Sequence, residues 1–76
     1  MRPMTSKQIE DYVKSLGCIR SHGVGSHRGW INPATGGYTV IPFHGNKNLP
    51  QGTLLAICHQ LGIERPKRQA IGYAVE

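Results

Sequence analysis

Gly25, Ser26, His27 and Arg28 stand consecutively in this chain. They combine the residue types that acid–base chemistry beside a phosphate requires. Histidine both accepts and donates a proton near neutral pH without special tuning. Arginine matches the shape and charge of a phosphate group. Ser26 and Gly25 add a hydroxyl and a position where the backbone can turn or come close to a ligand. The combination points to proton transfer next to a phosphodiester, which for a nucleic acid means cleavage of RNA. RNA carries its own nucleophile, the 2′-hydroxyl. A protein needs only a base for that proton, an acid for the departing 5′-oxygen, and positive charge for the phosphorane between them.

His27 is the leading candidate for the base or the acid. One imidazole cannot serve both ends of a single step, so a second group is expected. His44 ranks first for it, because its strand should pair with the strand that His27 begins. His22 falls in a stretch that reads as a flexible link and ranks lower. His59 falls beside the apolar stripe of a helix and reads as a boundary residue. Ser26 is a poor nucleophile candidate. Serine needs an adjacent base and an orienting third group, and no carboxylate lies near it in sequence. Its expected role is to bind phosphate or to fix the loop.

Gly25, Ser26, Arg28, Lys7, Arg20 and Lys47 are the candidate RNA- or phosphate-binding residues, with Lys14 a further cation. Phosphate contacts of this kind make affinity fall with salt. Trp30 and Tyr38 offer flat rings on which bases can stack, although a lone Trp in a small domain is more readily accounted for by the core. His22, His27, His44, His59, Cys18 and Cys58 have no structural zinc spacing, so no metal and no other cofactor is expected.

The charge distribution supports a polyanion partner. The net charge is +5, and no Asp or Glu occurs between Tyr12 and Ile63. The four acids are Glu10, Asp11, Glu64 and Glu76, toward the two ends. A central region of cations without anions attracts polyanions. It also lacks the carboxylate pairs of glycosidases and the carboxylate clusters that hold Mg²⁺. Two cysteines are too few for a disulfide-rich scaffold, and both lie in apolar settings that read as reduced core. The sequence has no apolar run long enough to span a bilayer and no apolar signal segment behind Met1-Arg2-Pro3. The expectation is one cytoplasmic domain over residues 1–76 with no membrane association.

Thr5 and Gln8 have capping-box spacing, and Ile9, Tyr12, Val13 and Leu16 recur on one helical face. These predict a helix over about 6–16, stopped by Gly17, with Glu10 and Asp11 suiting the helix dipole. A short strand is expected at 18–21, a link at 22–25, and a second strand at 26–31. The turn residues of 32–37 lead to a third strand at 38–43, making an antiparallel hairpin. Pro42 belongs at an edge or a strand end. After the polar loop 44–48, Pro50 opens a second helix with Leu54, Ile57, Cys58 and Leu61 on one stripe, closed by Gly62. Residues 70–75 fit a strand, an extended tail or a short helix. The order α-β-β-β-α predicts an α+β fold, a three-stranded antiparallel sheet with both helices on one face.

That order, together with particular motifs, resembles the HicA family of toxins from type II toxin–antitoxin systems. The likeness is carried by the helix ending at Leu16-Gly17 and by Gly25-Ser26-His27. It is carried further by the strand Tyr38 to Phe43 ending in Pro42-Phe43-His44, by Gly52-Thr53-Leu54, and by Leu61-Gly62-Ile63. It covers about residues 5–63, and nothing is carried to the segment 64–76. The resemblance implies a fold like a double-stranded-RNA-binding domain and a metal-independent mRNA interferase activity that blocks translation. It implies a cognate HicB-like antitoxin, and His27 as the catalytic histidine. The rival readings are a non-catalytic RNA-binding module and an inactive relative that only binds an antitoxin.

Overall fold

The computed structural model describes residues 1–66, so the expectation for 70–75 lies outside the described residues. Helix α1 (Ser6–Ser15) is followed by strands β1 (Ile19–Val24), β2 (His27–Asn32) and β3 (Gly37–Pro42), then by helix α2 (Gln51–Leu61). The strands form one antiparallel sheet in the order β1-β2-β3.

Helix α1 starts as its sequence dictates. The Thr5 hydroxyl accepts from the Gln8 backbone N–H, and the Gln8 side chain accepts from the Thr5 N–H, a complete capping box. Ser6, the next residue, is fully buried and ties the helix to the sheet. Its hydroxyl donates to the Pro42 carbonyl at 2.7 Å and accepts from the His44 N–H at 3.0 Å. Pro42 thus sits at the end of an edge strand, where its missing N–H costs no ladder bond. Helix α2 lacks a side-chain cap at Pro50 and ends at Gly62 in the left-handed conformation.

Both helices cover the same face of the sheet. Trp30 and Thr39 are cross-strand partners, so their side chains project to one side. The Trp30 indole donates to Glu10 on α1, and the Thr39 hydroxyl donates to Gln60 on α2. Between these layers Ile9, Val13, Ile41, Leu54, Ile57 and Leu61 are almost entirely removed from water. Cys18 and Cys58 are buried free thiols, as their apolar settings predict. The opposite face of the sheet carries no helix, and Ile19, Val24, Tyr38 and Val40 stand exposed on it.

Strand β1 is longer than the sequence indicates. The stretch 22–25 reads as a link because two glycines punctuate it, yet the strand runs through His22, Gly23 and Val24. A β-bulge accounts for this. Ser21 pairs with Gly29 and Val24 with His27, so His22 and Gly23 together stand opposite Arg28.

Candidate functional site

The β1–β2 turn is Gly25 and Ser26, and His27 and Arg28 open β2. Gly25 has φ 60°, a backbone conformation that favours glycine. Ser26 is exposed, and its carbonyl accepts from the Phe43 N–H at 2.9 Å, which closes the end of the β2–β3 ladder. His27 is the first residue of β2 and is exposed. It is paired across the sheet with Pro42 on one side and Val24 on the other.

His27 lies on the open face of the sheet. Strand alternation sends its neighbour Arg28 to the helix-covered face. An open groove of about 520 Å³ runs over the His27 side, lined by His22, Gly23, Val24, His27, Tyr38 and Val40. The bulge shapes its wall. A methyl group on Gly29 would overlap the His22 carbonyl, and one on Gly23 would overlap the His27 carbonyl, so only glycine admits this approach of β1 to β2. The Tyr38 hydroxyl donates to the His22 carbonyl at 3.1 Å and fixes the bulge from β3.

A second groove, about 430 Å³, lies on the other face. Lys7, Lys14, Arg20 and Arg28 line it together with Glu10, Asp11, Trp30 and Phe43. Arg28 donates through Nη1 to Glu10 Oε1 at 2.8 Å, and its guanidinium lies 4.6 Å from the centre of the Phe43 ring. Arg20 stands 5.9 Å from the centre of the Trp30 ring. These are cation–π distances. Lys7 pairs with Asp11 one helical turn away at 3.2 Å. The groove therefore collects four cations against two carboxylates. Its two arginines are held in place by aromatic rings, and Arg28 by an acid as well.

The structure sorts the sequence candidates by face. Arg28 and Arg20 meet Lys7 in the helix-side groove, whereas His27 belongs to the open face. Gly25 and Ser26 form the turn at the sheet's end. Lys47 lies in the exposed loop after β3, its N–H bonded to the His44 carbonyl. His44 is exposed just past β3, its backbone anchored to Ser6. It follows the strand that pairs with His27, as expected, but does not line the His27 groove. Trp30 is 5 % exposed and belongs to the core, while Tyr38 is about half exposed and lines the same groove as His27.

Glu10 was missed as a site residue. In sequence it looks like a dipole partner near a helix start. In the fold it is 7 % exposed and faces the sheet, where it holds both Arg28 and Trp30. The acid-free centre of the sequence therefore receives a carboxylate from outside it. One signal was available: Arg28 and Trp30, two apart on a strand, must share a face, and Glu10 lies one residue after Ile9 on the buried side of α1.

Three sequential antiparallel strands with two helices packed on one face form an α+β domain of α-β-β-β-α order. The chain matches the family model described as HicA toxin of bacterial toxin-antitoxin over residues 6–63, and it belongs to that family. It is thus the toxin member of a toxin–antitoxin pair, with an antitoxin as partner. No curated protein and no solved structure matches the chain. Among the described residues, no helix is long and apolar enough to cross a membrane.

Proposed function

We propose that this toxin is a metal-independent endoribonuclease that cleaves RNA with His27 as a general acid or base, thereby blocking translation. The observation that carries this reading is the exposed imidazole position at the head of β2, on an open groove of a basic domain. The proton transfers are assigned to imidazole, which exchanges protons near neutral pH without special tuning. Arg20, Arg28 and Lys7 in the helix-side groove are assigned to RNA phosphates away from the cleaved bond, with Gly25, Ser26 and Lys47 at the sheet's end nearer to His27.

Silencing is assigned to a HicB-like antitoxin seated on the open sheet face. Val24 is 81 % exposed, Ile19 54 % and Tyr38 47 %, and all three stand on the same face as His27. Apolar surface left bare around the reacting group is the surface a protein partner would cover.

The test is RNA cleavage by the isolated toxin in the presence of a chelator, set against a His27→Ala variant whose fold is checked by circular dichroism. Cleavage that survives chelation and disappears with His27 is the expected result. Cleavage by both proteins would remove His27 from the chemistry. RNA binding without cleavage by either would identify a binding module instead.

A further inference from the structure

We propose that His22 is the second proton-transfer residue of the RNA-cleaving site. The inference rests on the ribonuclease reading of His27 and names its missing partner.

His22 and His27 line one groove from adjacent strands. The sequence alone separates them by a stretch that reads as a link. The bulge turns that stretch into strand and lays the His22 backbone over Gly29, within the groove wall. Tyr38 locks it there through the hydrogen bond from its hydroxyl to the His22 carbonyl. His22 is thus an exposed residue whose backbone is fixed at the groove, and its imidazole is assigned to the substrate side. No hydrogen bond among the described residues engages that imidazole. The titratable residues lining the groove are His22 from β1, His27 from β2 and Tyr38 from β3, with no carboxylate and no lysine or arginine among them. Arg20 and Arg28 serve the opposite face. His44, the rival for this role, is drawn by its backbone bond to Ser6 toward the start of α1 and does not line the groove.

The step needs two imidazoles in opposite protonation states. The neutral one takes the proton of the 2′-hydroxyl as the 2′-oxygen bonds to phosphorus. The protonated one gives its proton to the 5′-oxygen as the phosphorus–oxygen bond to it breaks. The products are a 2′,3′-cyclic phosphate and a free 5′-hydroxyl, and the pair ends with its protonation states exchanged. Such a pair gives a bell-shaped dependence of rate on pH.

The experiment is single-turnover cleavage of a labelled RNA across pH 5–9 by the wild-type toxin and by His22→Gln, His27→Ala and His44→Gln, with RNA affinity measured for each. His22→Gln should cut the rate about 100- to 10,000-fold, leave RNA affinity nearly unchanged, and reduce the bell to a single limb. His44→Gln should keep the bell. A bell-shaped profile in His22→Gln at near wild-type rate, with His27→Ala inactive, overturns the role of His22 and leaves the ribonuclease reading standing. A wild-type protein that does not cleave RNA overturns both.

Discussion

Glu10 holds Arg28 with one carboxylate oxygen, at 2.8 Å, and Trp30 with the other, at 3.0 Å. One buried acid on α1 thereby orients a cation and a core aromatic of β2. Its charge is balanced by a guanidinium that is itself only partly buried, with 37 % of its side-chain surface exposed. Replacing the carboxylate by an amide removes the negative charge and leaves one acceptor oxygen where Arg28 and the buried indole N–H used two. Glu10→Gln should therefore cost about 1–3 kcal/mol, lowering the melting temperature by several degrees in a domain of this size. Urea denaturation of the two proteins measures it. An unchanged midpoint would mean that water replaces the carboxylate at no cost.

The close approach of β1 to β2 rests on glycine at two different grounds. At Gly29 the constraint is space, since an added methyl meets the His22 carbonyl. At Gly25 it is backbone angle, with open space around the position. Gly29→Ala should destabilise by about 1–3 kcal/mol as the strands part. It should also lose RNA cleavage, because the bulge that carries His22 is displaced. Gly25→Ala should cost about 1 kcal/mol of backbone strain. Thermal melts of both variants, alongside their cleavage rates, separate the two grounds. Equal stability of Gly29→Ala and the wild type would show that the strands shift freely.

The antitoxin is assigned to the uncovered sheet face, so a charge placed there should weaken the complex without touching the core. Val40 is partly exposed on that face and lines the His27 groove. Val40→Asp should loosen the toxin–antitoxin complex at least tenfold, about 1.4 kcal/mol, while the melting temperature of the toxin alone stays within a few degrees. Calorimetric titration of the toxin with its antitoxin gives the affinity. Unaltered binding would move the antitoxin to the helix side.

Local signals made much of the fold legible. The Thr5–Gln8 capping box, the Ile9–Val13 stripe and the turn at 32–37 each specify an element through contacts between near neighbours, and each stands where it was expected. The extent of β1 was not legible. Gly23 has no side chain because the His27 carbonyl of the next strand lies against it, a contact made by the β-bulge and not signalled by the residue types of 22–25. The site divides in the same way. The exposure of His27 follows from its place at a turn. Its separation from Arg28 follows from strand alternation, which overrides adjacency in sequence. The capture of Arg28 by Glu10 spans 18 positions and depends on how α1 lies across the sheet.

Alkaline pH should destabilise the fold through three buried or half-buried acids. Burial raises the Cys18 thiol. Burial also raises the Cys58 thiol, with the Arg65 charge acting in the other direction. The Tyr12 phenol is raised by burial first and then by the negative charges that Cys58 and Glu64 can carry. Each group holds its proton longer in the folded chain than in the unfolded one. Their contribution is therefore fully present below the unfolded thiol range, about pH 8.5, and is lost as pH rises, because the unfolded chain releases its protons first. Loss of the Tyr12 proton also removes the hydrogen bond from its hydroxyl to the Glu64 carbonyl. Melting temperature should be level between pH 7 and 8 and fall steadily toward pH 10.5. The early part of that fall should be absent when both cysteines are replaced by alanine. A thiol reagent at pH 8 should react slowly with the native protein and with both cysteines in urea. A melting temperature that holds level or rises between pH 8 and 10 would show that these groups ionise as readily in the fold as outside it.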